Sequence, residues 1–509
     1  MQLQRKVLFA TGDVVPNNGN GYYPADIRRL YNIPADLDGA GQTIGILEFS
    51  NGYSLRDAHQ FWSLHGIARP RLTFVSVDGT RNDGGINPDD EEASLDLQWA
   101  GAVAPKAHLI VYEANAGRTY DEFAQALIRT LRYILRDTVH QPSVLSISYG
   151  DAETNFAPQS LTEISDLVEQ LSARGVTVCI ASGDQGAYGM HNLRGPLTPH
   201  ADAPATVPAA VAVGGTSLQP DGTETAWTYN GPDNGGATGG GFSAVFGRTP
   251  YQAALHLVTR GIPDVALNAD PATGYQIVFH GKPAVVGGTS VACPVLAAII
   301  ALANQRRAQR GRQPLAHVTE LLYRSPASAG YRDVTVGNNT YNGVPGFSAG
   351  PGWDACTGWG SVDATAFINY LAAAEDVMDP SVGTATPSSV TAAHPVIHIS
   401  AIIRTVEPDE TTHGASHHHL LVTVENVLQA RGVSANDIPA ELFCAIRYGD
   451  SLGLPRPIPD LAPGQPMELQ GEFVAVNRIY PSIGNPGDAV LHFTHHPVGF
   501  VIYHGVRYE

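Results

Sequence analysis

The chain has 509 residues, of which 43% are hydrophobic and 15% are charged, so we expect more than one folded domain and exclude a disordered chain. A formal net charge of −18 disfavours a partner bound through nucleic-acid phosphates. The low content of charged residues either serves solubility alone or gives tolerance of acid, because few ion pairs are then lost when carboxylates take up protons.

The N-terminal segment, residues 1–21, is predicted to be an extension before the first domain. Its apolar stretch, residues 7–10, is too short for a signal peptide. No run of about 18 apolar residues predicts a membrane span, so we expect no membrane partner. The four cysteines lie far apart in the sequence and match no metal-binding spacing, which favours buried free thiols.

Short apolar runs alternate with helical patterns over residues 22–374. Several runs are short, rich in β-branched residues and bounded by turn residues, which predicts buried strands. They cover residues 42–49, 108–114, 143–150 and 176–183. Helical patterns, such as 120–135 and 161–174, lie between them. The alternation predicts an α/β domain with a mostly parallel sheet, helices on both faces, and ligand sites at the carboxyl ends of the strands.

The composition changes after this domain. Residues 375–394 are rich in Ser, Thr, Pro and Ala and are predicted to be a linker. Residues 395–509 contain several alternating β-branched segments and are predicted to form a small, separate β-rich domain. Its last segments, GEFVAVNRIYP and AVLHFTHHPVGFVIYHGVRY, resemble a small bacterial OB-like domain family. Substrate targeting, a protein partner and a metal all stay open as the role of this domain.

The second domain contains clustered histidines. They are His417, His418, His419, His492, His495 and His496. Strand alternation places His492 and His496 on one face and His495 on the other. Such a cluster can bind a transition metal, but we favour the interpretation that these are surface histidines of a β-domain.

A serine at the start of an apolar helix is the first candidate for chemistry. In GGTSVACPVLAAIIALAN, Ser290 follows two glycines and a threonine and precedes a long helix-forming run. A helix N-terminus favours negative charge that develops nearby, so an exposed serine hydroxyl there is suited to nucleophilic attack. The alternative is a helix N-cap, which is a common role of serine.

A nucleophilic serine needs a base. Subtilisin-like enzymes share the Gly-Thr-Ser turn, but they also require Asp-Thr-Gly after a strand and His-Gly-Thr at a helix start. Here His65 is followed by Gly-Ile-Ala, and His59 lies in an ordinary amphipathic stretch. A histidine-based mechanism is therefore disfavoured.

The acidic segment DDEEASLD supplies candidate bases. Glu92 and Asp96 are four residues apart and share one face of a helix. Two carboxyls held close do not both ionise easily, so the pair can act as base and orienting partner for a serine at acid pH. The alternative is a solvated first turn favoured by the helix dipole. We favour that alternative for Asp89, Asp90 and Glu91, and it stays open for the other two.

Asp184 directly follows an apolar strand in ASGDQG. Aspartate is common in turns after strands, and this is one interpretation. The other is an acid that keeps its proton and donates a hydrogen bond to an oxyanion at the carboxyl end of the sheet.

Together these segments resemble the sedolisin family of serine-carboxyl peptidases, and within it the kumamolisin-like bacterial members. The matching segments run from about residue 22 to residue 364. They include YYPADIRRLYNIP, LDGAGQTIGILEF, EASLDLQ, SISYG, ASGDQG, GIPDVALNADPATGY, GGTSVACP and GPGWDACTGWGS. The resemblance implies a subtilisin-like fold and peptidase activity in acid.

The resemblance also implies roles for four residues. Ser290 is the nucleophile, Glu92 accepts its proton, and Asp96 orients Glu92. Asp184 stands at the position of the family's oxyanion-stabilising aspartate, which can donate a hydrogen bond only while protonated.

Glu48, in GILEFSNGY, matches a further glutamate that extends the carboxyl network in kumamolisin-like members. In those members the network continues to a tryptophan. This sequence has Tyr149 there, in SISYG, so its outer network departs from the family's pattern.

The Gly-, Asp- and Asn-rich segment 331–361 is by itself typical of a loop, and a calcium site is the alternative. The resemblance implies one structural Ca²⁺ ion in this loop. Its implied ligands are the carboxylates of Asp333 and Asp354, the backbone oxygens of Val334, Gly350 and Gly352, and water.

We therefore predict an acid-active serine-carboxyl endopeptidase that cuts polypeptide substrates, and from the family we expect an extracellular location. The alternative is a catalytically idle sedolisin-fold scaffold whose C-terminal domain mediates binding. Competent residues at all four positions above weigh against that alternative.

Overall fold

The chain divides into two compact units, Met1–Val377 and Met378–Glu509. The computed structural model describes residues 8–9, 16–229, 235–374, 395–412, 415–431, 433–448, 454, 456–474, 488–492, 494 and 499–508. The predicted linker, residues 375–394, lies outside the described residues.

The helices of the first unit cover most of the predicted helical patterns. They are Pro16–Gly19 (α1), Pro24–Leu30 (α2), Leu55–Leu64 (α3), Glu91–Val103 (α4), Tyr120–Arg136 (α5), Pro158–Ala173 (α6), Thr289–Gln309 (α7), Val318–Arg324 (α8) and Ala364–Ala373 (α9). The start of α5 is a capping box, in which the Thr119 side chain accepts from the backbone N–H of Glu122.

The strands of the first unit follow in chain order. They are Leu8–Phe9 (β1), Thr43–Phe49 (β2), Arg71–Ser76 (β3), His108–Ala114 (β4), Val144–Ile147 (β5), Asp151–Ala152 (β6), Thr177–Ala181 (β7), Asp202–Ala203 (β8), Val211–Leu218 (β9), Glu224–Ala226 (β10), Thr228–Tyr229 (β11), Gly236–Ala237 (β12), Gly241–Gly247 (β13), Thr259–Ile262 (β14), Val265–Asn268 (β15), Tyr275–Phe279 (β16), Lys282–Gly287 (β17), Tyr331–Arg332 (β18) and Ser361–Val362 (β19). The main sheet has the order β10-β9-β7-β5-β2-β4-β3, and β15 also pairs with β9. Only β10 is antiparallel to its neighbour in this sheet.

Helices cover both faces of the main sheet. Alternate strand residues point to opposite faces, so Ile44 and Ile46 of β2 join a core formed with α4 and α7. Leu145 and Ile147 of β5 join a second core formed with α5 and α6. The predicted mostly parallel sheet with helices on both faces is confirmed.

The helix that carries Ser290 is the central helix of the first core. Almost every residue of α7 is buried, and the helix is apolar on all sides, which is typical of a helix enclosed in a core. Its length and composition would allow it to cross a membrane, but 94% of its apolar stretch is buried inside the protein. We therefore interpret α7 as a core helix.

The second unit is a β-barrel. Its strands are Val396–Thr412 (β20), Ala415–Arg431 (β21), Glu441–Tyr448 (β22), Pro466–Val474 (β23), Val490–His492 (β24), Phe500–Tyr503 (β25) and Val506–Tyr508 (β26). Because β20 pairs with both β21 and β23, and β24 pairs with both β22 and β23, the ring β20-β21-β22-β24-β23 is closed. This Greek-key ring is the OB arrangement, so the predicted β-rich, OB-like domain is confirmed.

The interpretation of the C-terminal histidines as surface residues is wrong for His418 and His419, which are 5% and 7% exposed. The alternation of β21 places His418 on the same face as Leu420, which lies in the barrel core. The ring of His419 packs against Phe443 on the neighbouring strand. His495 and His496 lie outside the described residues.

Hydrogen bonds hold His418 in place from both sides. Its Nδ1 atom lies 2.8 Å from an Asp409 carboxyl oxygen, and the Tyr448 hydroxyl donates to the other oxygen at 2.6 Å. Its Nε2 atom accepts from the backbone N–H of Ile458 at 3.0 Å. The histidine thus ties the segment before β23 to the end of the barrel.

Candidate active site

Ser290 is the second residue of α7 and is 9% exposed. It follows Gly288, whose φ of 110° is one that L side chains rarely adopt. A Cβ atom at Gly288 would lie only 2.7 Å from Asp184 Oδ2. The glycine therefore allows both the turn into the helix and the close approach of Asp184.

Asp184 lies three residues after the end of β7, at the N-terminus of α7. Its Oδ1 atom accepts hydrogen bonds from the backbone N–H of Thr289 at 2.7 Å and from the Thr289 hydroxyl at 2.8 Å. Burial raises the pKa of Asp184, although these two hydrogen bonds act in the opposite direction. The carboxyl is fixed through one oxygen and can carry a proton on the other.

Glu92 and Asp96 both lie on α4, which packs against α7, and they are 1% and 0% exposed. The solvated interpretation, left open by the sequence, is therefore wrong for this pair. Burial raises the pKa of Asp96 well above its usual range, and the charges of Glu92 and Glu48 raise it further. The structure therefore gathers buried carboxyls beside the serine helix, and burial favours the neutral form of Asp96 there.

Ser148 joins Asp96 to Ser290 and was not predicted from the sequence. Its Oγ atom lies 3.0 Å from each Asp96 carboxyl oxygen and 3.3 Å from the backbone oxygen of Ser290. It directly follows β5 in SISYG, at the edge of the sheet where ligand sites form. That position was the available signal for Ser148.

The two acidic residues before Glu92 are also buried, so the solvated interpretation is wrong for Asp90 and Glu91, whereas Asp89 is exposed. The Asp90 carboxylate accepts from the backbone N–H groups of Gly52 at 3.0 Å and Asn87 at 2.7 Å. Burial and the charge of Glu92 raise the pKa of Glu91 to about 8. Loops around the start of α4 cover these carboxyls, which the sequence pattern predicted to lie in solvent.

A further buried carboxyl, Asp202, lies near Asp184 and was also missed. It is 2% exposed, and neither of its carboxyl oxygens has a hydrogen-bond partner among the described residues. A Cβ atom at Gly183 would lie 1.7 Å from Asp202 Oδ2. Burial and the charges of Asp151 and Asp184 raise the pKa of Asp202 well above its usual range. Its surrounding sequence, HADAP, has no pattern that indicates burial.

The histidines considered as subtilisin-type bases have other contacts. His65 Nε2 lies 3.0 Å from the side-chain oxygen of Gln276, and its ring packs against Tyr23 and Phe61. The ring of His59 lies next to Trp62. The structure gives neither of these histidines a hydrogen bond to the serine.

The predicted calcium ligands lie in one loop region. Asp333 accepts from the backbone N–H of Gly352 at 2.8 Å, and Asp354 accepts from that of Gly350 at 2.8 Å. Both carboxylates therefore hold the same short turn, which also contains two of the predicted carbonyl ligands, Gly350 and Gly352. No group of three or more His, Cys, Asp or Glu side chains suited to a metal occurs among the described residues, so backbone oxygens would have to complete any site.

The remaining predicted ligand, Val334, is buried in the same region. Its backbone oxygen lies 3.4 Å from the Thr357 hydroxyl, and the Thr357 backbone N–H donates to Asp354 at 2.8 Å. Carboxylate and carbonyl oxygens are the donors that Ca²⁺ prefers. The residues present therefore fit a calcium ion in donor type and in their shared position.

Comparison with known proteins places the chain in a family. The subtilase family model matches residues 79–360, which is more than half of the chain. Kumamolisin from Bacillus sp. (strain MN-32) is 38% identical over 361 residues, which cover 67% of this chain and 62% of the relative. The chain belongs to the sedolisin family of subtilases.

Other members of the family are also similar. Sedolisin from Pseudomonas sp. (strain 101) is 27% identical over 383 residues, 71% of this chain and 63% of the relative. A solved structure of Pseudomonas sedolisin (serine-carboxyl proteinase), complexed with two molecules of pseudo-iodotyrostatin, has a TM-score of 0.61 and 27% identity. It covers 71% of this chain and 99% of that chain. The chain spans slightly less than two thirds of the length of the curated relatives it matches.

At Tyr149 this sedolisin-family chain departs from the kumamolisin-like pattern, but it keeps a hydrogen bond to the buried glutamate there. The Tyr149 hydroxyl donates to Glu48 Oε2, and the Asn51 side-chain amide donates to the Tyr149 oxygen at 2.9 Å. Glu48 is fully buried on β2, next to Glu113 of β4 in register. A tyrosine therefore reaches the glutamate from the position where the family's pattern has a tryptophan.

Proposed function

We propose that this chain is an acid-active serine-carboxyl endopeptidase that hydrolyses peptide bonds in polypeptides. The observation that carries the proposal is the set of acids around one helix. Asp184 lies at the N-terminus of α7, and Asp96 reaches the backbone of Ser290 through Ser148. The similarity to kumamolisin and to a serine-carboxyl proteinase supports it.

In the proposed acylation step, Ser290 Oγ attacks the carbonyl carbon of the scissile peptide and passes its proton to Glu92. Asp96 orients Glu92, because the two carboxyls lie one turn apart on the same helix face. Glu92 then gives the proton to the leaving amine as the C–N bond breaks. Water hydrolyses the resulting acyl-enzyme by the same proton transfers in reverse.

The tetrahedral intermediate carries a negative oxygen, which needs hydrogen-bond donors. The proposed donors are the protonated Asp184 carboxyl and the backbone N–H of Ser290. A carboxyl donates only while it holds its proton, and burial raises the pKa of Asp184. Its contribution is therefore present in acid and lost as the pH rises through that raised pKa.

We further propose one structural Ca²⁺ ion in the 331–361 loop. The carboxylates would come from Asp333 and Asp354, and the carbonyl oxygens from Val334, Gly350 and Gly352. When bound, the ion would supply fixed positive charge that ties this long loop to the remainder of the first unit, and it would take no part in the chemical steps.

An extracellular location is part of the same proposal, and it rests on the family and on the acid chemistry. The substrates would be polypeptides. The matched family model ends at residue 360, so it says nothing about a partner of the OB-like barrel.

The test is hydrolysis of an unfolded protein substrate by the full chain and by Ser290→Ala, from about pH 3 to pH 8, a range that spans carboxyl and histidine titrations. The expected result is activity on the acid side that the variant lacks. A folded wild-type protein without activity at any pH would refute the proposal and favour the binding-scaffold alternative.

A further inference from the structure

The backbone oxygen of Ser290 lacks its regular helical donor. In an α-helix the C=O of each residue accepts from the N–H four residues later. For Ser290 that residue is Pro294, which lies inside α7 and has no N–H. A polar group from outside the helix is needed to complete the first turn at the nucleophile.

The Ser148 hydroxyl stands at this position. Its Oγ atom lies 3.3 Å from the Ser290 backbone oxygen and 3.0 Å from both carboxyl oxygens of Asp96. Ser148 is 8% exposed, so water has little access to this contact. A serine hydroxyl has one proton and can donate it to only one of these acceptors at a time.

We propose that Ser148 is a positioning residue, whose hydroxyl couples the protonation of Asp96 to the backbone of Ser290. While Asp96 is ionised, the hydroxyl donates to its carboxylate. Once Asp96 is protonated, the carboxyl donates to Ser148 Oγ, and the serine proton turns to the Ser290 carbonyl. The first turn of α7 is therefore completed only in the acid form of the site.

The groups around Asp96 favour its neutral form. Glu92 on α4 and Glu48 on β2 face it as further acids, and both raise its pKa, whereas the Ser148 hydrogen bond lowers it. The Cys293 thiol on α7 is the other titratable neighbour, and burial raises its pKa to about 12. Cys293 therefore stays neutral throughout the acid range.

This inference rests on the proposed function, and Ser148→Ala tests it against a matched control. Ser146 lies on β5, two residues before Ser148, is fully buried, and has its Oγ atom 3.4 Å from Cys293 Sγ of α7. Ser146→Ala thus removes a similar hydroxyl that does not touch Asp96. Ser148→Thr keeps the hydroxyl at the same position.

Ser148→Ala is expected to lower kcat about tenfold with little change in KM. Because the lost hydrogen bond lowered the pKa of Asp96, the upper pH limit of the remaining activity should move to higher pH. Ser148→Thr should restore both quantities towards wild type, and Ser146→Ala should change neither. Equal losses in the two alanine variants, or an unshifted pH limit in Ser148→Ala, would overturn the inference.

Failure of the proposed function would be visible separately, as a wild-type protein without hydrolysis that depends on Ser290. In that event the pH dependence of Tm for wild type and Ser148→Ala provides the test, because it responds to the pKa of Asp96 without any catalysis. A displaced profile in Ser148→Ala would support the coupling. Coincident profiles of wild type, Ser148→Ala and Ser146→Ala would overturn it.

Discussion

Gly288 has no side chain, which leaves room for the proposed oxyanion donor, Asp184, beside the proposed nucleophile, Ser290. Gly288→Ala is expected to abolish activity, since the new Cβ would lie 2.7 Å from Asp184 Oδ2. It should also lower the unfolding free energy by about 1–3 kcal/mol, because a φ of 110° strains an alanine. Urea unfolding and peptide hydrolysis measure the two effects.

Gly281→Ala is the control for backbone strain. Gly281 also has a positive φ, of 73°, but a Cβ atom there would meet open space. This variant should lose some stability and keep its activity. If Gly281→Ala and Gly288→Ala lose activity equally, the close approach of Asp184 does not explain why residue 288 must be a glycine.

Glu91 gives a prediction about pH. Its pKa is raised from 4.5 to about 8 in the folded protein, so between these values the folded state holds a proton that the unfolded state releases. Stability from this group is therefore present in acid and lost as the pH rises. Glu91→Gln should match the wild-type Tm near pH 4 and exceed it increasingly towards pH 8, as thermal melting would show.

Asp89→Asn is the matched control, because Asp89 is exposed and lies two residues before Glu91 in the same acidic segment. Because its side chain is exposed, its Tm should stay close to that of wild type. A Tm difference for Glu91→Gln that does not change with pH would show that Glu91 is ionised in the folded protein at neutral pH.

At the residue scale the sequence predicted the position of side chains on a helix better than it predicted their burial. The spacing of Glu92 and Asp96 put both on one helix face, as the structure shows. The burial of Asp90 and Glu91 could not be predicted, because it depends on loops that are distant in the sequence, such as the one containing Gly52. Ser148 was missed for the same reason, since its acceptors lie on two other elements.

Among the elements, the strands were the most predictable. Short runs rich in β-branched residues gave β4 at its observed bounds and β2 within one residue. These strands are buried on both faces, so their sequence is continuously apolar. The shape of the 331–361 loop could not be predicted from local patterns, because glycine-rich turns are common and the loop depends on a contact between Asp333 and Gly352, 19 residues apart.

The barrel of the second unit gives a prediction at the same scale. The buried His418 of β21 accepts a hydrogen bond from the backbone N–H of Ile458, in the segment before β23. His418→Ala should therefore expose the Ile458 amide to exchange and lower the unfolding free energy of the barrel by about 1–3 kcal/mol. Hydrogen exchange followed by peptide mass analysis should show faster exchange in the segment 456–464. Exchange within α7 of the first unit should stay unchanged.

His504→Ala is the control, because His504 is exposed and its ring nitrogen lies 3.3 Å from the Gln465 side chain. It should leave exchange at Ile458 as in wild type. Faster exchange in both variants would mean that His418 does not hold this segment.

For the molecule as a whole, calcium should govern the stability of the first unit. A ligand that binds only the folded state raises its stability, so a chelator should lower the Tm of the full chain by several degrees. Asp354→Asn should have a lower Tm that no longer responds to chelator, and Asp363→Asn, outside the predicted ligands, should keep the response. An unchanged wild-type Tm in chelator would refute the Asp333 and Asp354 assignment.

The proposed chemistry uses acids in place of a histidine, and Asp184→Asn tests this most directly. The amide of asparagine donates a hydrogen bond at every pH, whereas the Asp184 carboxyl donates only below its raised pKa. The measurement is kcat/KM for one peptide substrate with wild type and Asp184→Asn, from about pH 3 to pH 8. The expected result is wild-type activity that falls as the pH rises, and a ratio of variant to wild type that increases with pH. A ratio that stays constant, or wild-type activity that rises through neutral pH, would contradict the proposed role of Asp184.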